Sequence, residues 1–74
     1  MDVTVAATAD DDLLGMVTCC AVAGGLPVRL MADGTASDMV RALGVIARVA
    51  RSLGRRVCPD LWTHSLLCRL EVEQ

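Results

Sequence analysis

Seventy-four residues fill about half of an ordinary domain, so the chain has room for a single domain and no second. Apolar residues make up 54% of it, which excludes intrinsic disorder, and seven arginines against nine aspartates and glutamates leave a formal charge of −2. That balance argues against a general polyanion binder while leaving room for a local basic patch.

The opening segment, Met1 to Ala9, contains Val3-Thr4-Val5-Ala6-Ala7-Thr8, β-branched and alternating, and predicts a first strand. It carries no basic export segment, and Asp10-Asp11-Asp12 interrupts the place where an export signal would be apolar. The sequence therefore reads as a cytoplasmic, bacterial-type chain. The same three aspartates supply an N-cap and an acidic first turn, and the apolar run after them ends at Gly24-Gly25, which predicts a first helix. Leu13 to Leu26 is too short for the ~20 apolar residues that span a bilayer, so no membrane contact is expected.

Pro27 to Ala32 alternates Val28, Leu30 and Ala32 against Arg29 and Met31, a second short strand with its proline at the start. Ala32-Asp33-Gly34-Thr35 has turn composition, and Thr35 or Ser37 can cap a second helix, with Asp38 in its first turn. That helix is the clearest periodic signal in the chain. On a helical wheel Met39, Leu43, Ile46, Ala47, Ala50, Leu53 and Val57 gather on one side, and Arg41, Arg48, Arg51, Ser52 and Arg55 on the other. Cys58-Pro59-Asp60 stops this helix and opens a loop to Ser65, after which Leu66 to Glu73 alternates as a third strand.

The order strand, helix, strand, helix, strand predicts an α/β fold: a two-layer sandwich of a three-stranded sheet with both helices on one face. The alternative is a ferredoxin-like sheet completed by dimerisation, because Ala32 to Ser37 is too short to hold a further strand. Either way the core is thin. Phe and Tyr are absent, Trp62 is the sole aromatic residue, and Ala hides little area per residue. A chain this small needs help from a disulfide, a metal or a partner subunit.

A partner is the help the sequence favours. If the first helix buries Leu13, Met16, Val17, Cys20, Ala21 and Gly24, its outward face is Gly15, Thr18, Cys19 and Val22, without a charge. Solvated helix faces carry charges, and bland patches mark contacts. Self-association through these four residues, with Trp62 as an anchor, is the expectation, and docking to a larger protein is the related one. Five arginines, Arg41, Arg48, Arg51, Arg55 and Arg56, form the second candidate, a basic stripe for an acidic protein surface or for nucleic acid. No aromatic side chains interleave with them to stack on bases.

Chemistry finds less support. Cys58, His64 and Cys68 have a spacing that matches no common zinc motif, and Cys19 and Cys20 point about 100° apart on a helix. No metal or cofactor is therefore expected. No combination of residues fixes a nucleophile, a base and an oxyanion donor together, and the expected role is non-catalytic.

Overall fold

Six elements form in the computed structural model, which describes residues 1–74: β1 (Val3–Ala6), α1 (Asp11–Gly24), β2 (Val28–Met31), α2 (Ala36–Ser52), β3 (Arg55–Trp62) and β4 (Ser65–Val72). The four strands make one mixed sheet in the order β1-β2-β4-β3. β1 and β2 are parallel, while β4 runs antiparallel to both of its neighbours. The two helices pack on each other over one side of the sheet, and the other side is left uncovered.

The sheet has four strands where the sequence predicts three, and the extra one is β3. By periodicity, residues 55–62 belong to the end of the second helix and to a loop. The helix instead stops at Ser52, because Leu53 is its C-cap and Gly54 turns the chain at a φ of 74°, a conformation that glycine adopts without strain. Arg55, Arg56 and Val57 therefore lie in a strand. Pro59 is tolerated there because β3 is an edge strand. It sits opposite Cys68, in a pair whose β3 backbone groups point away from β4, so the missing N–H costs no ladder bond. The fourth strand thus comes from the same chain, and no second copy is needed to complete the sheet as the ferredoxin-like alternative requires.

Register explains the core. Val3 pairs with Val28 and Val5 with Leu30, Val28 with Cys68 and Leu30 with Leu66, and Leu70 with Val57. These rows share the helix side of the sheet. Against them lie Leu14, Thr18 and Ala21 of α1 and Ala42, Val45, Ile46 and Ala50 of α2, all buried. Leu14, Leu30, Ile46 and Val28 are the largest side chains wholly removed from solvent.

Local signals at the element ends behave as their chemistry dictates. Asp10 accepts from the Leu13 N–H at 2.8 Å as the N-cap of α1, with Asp11 and Asp12 beside the positive helix end. Gly25 ends α1 at a φ of 66°, with its N–H and that of Leu26 returned to the Val22 and Ala21 carbonyls in a Schellman motif. Thr35 and Asp38 form a reciprocal capping box on α2. The Thr35 N–H, then its hydroxyl, hold the Asp38 carboxyl below its usual range. Asp33 ties the β2–α2 loop to the end of β1 by accepting from the Thr8 hydroxyl at 2.5 Å and the Thr8 N–H at 3.1 Å. The hydroxyl contact is the main reason its carboxyl is also held low.

Candidate functional site

α1 presents the first candidate surface, and its orientation differs from the expected one. Leu14, Thr18 and Ala21 are buried, whereas Met16 is 58% and Leu13 41% exposed, beside exposed Cys19, Cys20 and Ala23. Of the four α1 residues expected to face outward, Thr18 is in the core and Val22 is half-buried. Gly15 lies against α2, where a Cβ would meet a Val49 methyl at 3.7 Å. Cys19 alone is fully on the surface.

The physical reason is that residues 13–24 are apolar or small on every side, so hydrophobic periodicity sets no phase. Thr18 can face inward because its hydroxyl donates to the Leu14 carbonyl at 2.8 Å, which satisfies the one polar atom it takes into the core. The blandness that distinguishes this helix remains, on different residues. No charge occurs between Leu13 and Gly24, and the surface set is Leu13, Met16, Cys19, Cys20 and Ala23.

The five arginines do not form one stripe. Arg41 clasps the β1–α1 loop: it donates to the Ala7 and Ala9 carbonyls at 2.8 Å each and pairs with Asp11 at 2.6 Å. Arg48 and Arg51 lie on the outer side of α2, both exposed. Arg55 and Arg56 are consecutive in β3 and so project to opposite sides of the sheet. Arg56 pairs with Glu71 at 3.5 Å, whereas Arg55 reaches only the Leu53 and Gly54 carbonyls at 3.5 Å. Three guanidinium groups, those of Arg48, Arg51 and Arg55, thus stand without a carboxylate partner.

The uncovered side of the sheet is a second surface, laced by its own ion pairs. Arg29 pairs with Asp2 at 3.0 Å, donates to the Ser65 hydroxyl at 3.2 Å and lies 5.8 Å from the centre of the Trp62 ring, within cation–π range. Arg69 joins Asp60 and Glu71, the latter at 3.6 Å. Each charge named here has an opposite partner, so this face is balanced. Trp62 is the last residue of β3, not a loop residue, and is 56% exposed.

The cysteines are dispersed. Cys19 and Cys20 are exposed on α1, and Cys68 is buried, where loss of solvation pushes its thiol up to about 11. The Cys58 thiol donates to Glu71 at 3.2 Å, and this bond, with help from Arg56 and Arg69, holds the Glu71 carboxyl below its usual range. No three His, Cys, Asp or Glu side chains are gathered to hold a metal ion. No helix is long and apolar enough to cross a membrane.

A feature that sequence reasoning missed is a groove of about 450 Å³ between the α1–β2 turn and the far end of β4. It exists because the β3–β4 hairpin outruns β2, which pairs with β4 only up to Cys68. Without β3 in the predicted fold, that overhang had no signal in the sequence.

Neither a protein-family model, nor a curated protein, nor a solved structure matches this chain.

Proposed function

We propose that this chain is a non-catalytic assembly module that works as a homo-oligomer through the outward face of α1. The observation that carries the reading is that face itself: Leu13, Met16, Cys19, Cys20 and Ala23 on the surface, with no charge across residues 13–24. Exposed helix faces in water are ordinarily polar, and contiguous apolar patches mark contacts. The molecule also has reason to use it. Only 13 of its residues are buried, and a second copy laid on α1 would add apolar burial that a core built from Ala, Val and Leu supplies sparingly. The same face suits a small accessory subunit docked on a larger protein. A nucleic-acid role gains nothing from the dispersed arginines, since Arg41 and Arg56 are already engaged by carboxylates.

Mass in solution tests the reading. Light scattering at high micromolar concentration is expected to give a multiple of the chain mass at both low and high salt, because the contact is uncharged. Met16→Glu is expected to return it to one chain mass. A single-chain mass for the wild type throughout overturns self-association.

A further inference from the structure

The groove at the end of β4 has the geometry of a strand-binding slot. Its walls include Leu67, Arg69 and Glu71 together with Leu70 and Val72. Consecutive strand residues point to opposite sides of a sheet, so a cavity touching both sets approaches β4 along its edge, in the plane where β2 would continue if it were longer. Across the gap stand Ala21, Val22, Leu26 and Pro27.

The backbone of β4 is unpartnered there. The Glu73 N–H donates to Gly54 at 3.0 Å, which directs the odd-numbered residues of β4 toward β3 and the even-numbered ones toward β2. Cys68 and Leu66 meet β2, but Leu70 and Val72 lie beyond its first residue and find no strand. Their peptide groups face the groove. Charge adds a third constraint: Arg55 lines the same space without a carboxylate partner, and Val72 stands 59% exposed at the rim.

We propose that this slot binds an extended peptide segment of a partner protein. The segment adds as a short strand to Leu70–Val72, places an apolar side chain between Val22, Leu26 and Leu70, and brings a carboxylate to Arg55. Main-chain pairing supplies the affinity and the apolar wall with the cation supplies the choice of sequence. The inference extends the reading of the chain as an interaction module to a surface separate from the outward face of α1.

The probe is a synthetic pentapeptide alternating Val and Glu with a free C-terminus, titrated into isotope-labelled protein and followed by NMR. The amide signals of Leu70 and Val72, with those of Ala21, Val22 and Leu26, are expected to shift together, and the Leu70 and Val72 amides to gain protection from exchange. Arg55→Gln is expected to weaken binding about threefold, with the spectrum elsewhere confirming that the variant is folded. A peptide alternating Val and Lys is expected to bind more weakly than the Glu peptide. Absence of any shift at millimolar peptide, shifts centred away from β4, or equal binding of the Lys peptide would each overturn the proposal. None of these outcomes bears on self-association, which is read from mass without peptide.

Discussion

Arg41 shows how the role of one side chain depends on contacts that no periodicity reveals. On a wheel it belongs with Arg48 and Arg51, yet its guanidinium spans from α2 to two carbonyls at the end of β1 and to Asp11. Arg41→Gln is expected to cost about 2 kcal/mol in urea unfolding, since it removes charge-assisted bonds and strands two acceptors. Arg51→Gln, on the open face of the same helix, should stay within about 0.5 kcal/mol.

Cys68 makes a prediction on the alkaline side. Its folded thiol ionises near 11 rather than 9.0, so the unfolded chain loses this proton first, and stability falls as pH rises from 9.0 through about 11. In Cys68→Ala that contribution to the fall is expected to vanish, although the variant starts lower because it opens space in the core. Asp33, Asp38 and Glu71 act with the opposite sign. Each is held low when folded, so their stabilising contribution is present at neutral pH and drains away as pH falls below the ordinary carboxylate range near ~4. Chemical unfolding across pH reads both limbs.

The elements were legible in the sequence in proportion to how much local chemistry set them. The cap of α1 falls within the expected run Asp10–Asp12, at Asp10, and that of α2 on Thr35, one of the two residues, Thr35 and Ser37, that could supply it, because an N-cap bond is made within four residues. Thr35→Ala is accordingly expected to cost about 1 kcal/mol by thermal or urea unfolding. β3 was not legible. Its arginines continue the helical stripe and Pro59 reads as a breaker, and only its place at the sheet edge, which is a tertiary fact, makes that proline harmless. The rotation of α1 was hidden for a different reason: a helix apolar all round takes its orientation from its neighbours, here from Val49 beside Gly15. In the β3–β4 turn His64 holds a φ of 61°, a strained value for a side chain with a Cβ, so His64→Gly is expected to raise stability by about 0.5 kcal/mol.

At the scale of the whole molecule, acidic side chains collect at one end of the parallel strands. β1 and β2 run parallel, so both end where the helices begin. That end collects Asp10, Asp11, Asp12, Asp33 and Asp38, while Arg51 and Arg55 stand where α2 finishes and β3 starts. Each group complements the nearby helix dipole. Between these ends lies a side of α1 with no charge at all. The predicted two-layer α/β arrangement is present with one strand more than expected, but the bland surface is built from Leu13, Met16, Cys20 and Ala23 rather than Gly15, Thr18 and Val22, with Cys19 common to both. Composition revealed that the helix lacked charge, and only its neighbours determined which of its residues reach water.

Alkylation of Cys19 and Cys20 tests the central claim directly, since both thiols lie on the face assigned to the contact and are open in a single copy. Followed residue by residue by mass spectrometry, their modification is expected to slow markedly between low and high micromolar protein, and to stay fast at both concentrations in Met16→Glu. Equal rates for the wild type at the two concentrations would contradict the account.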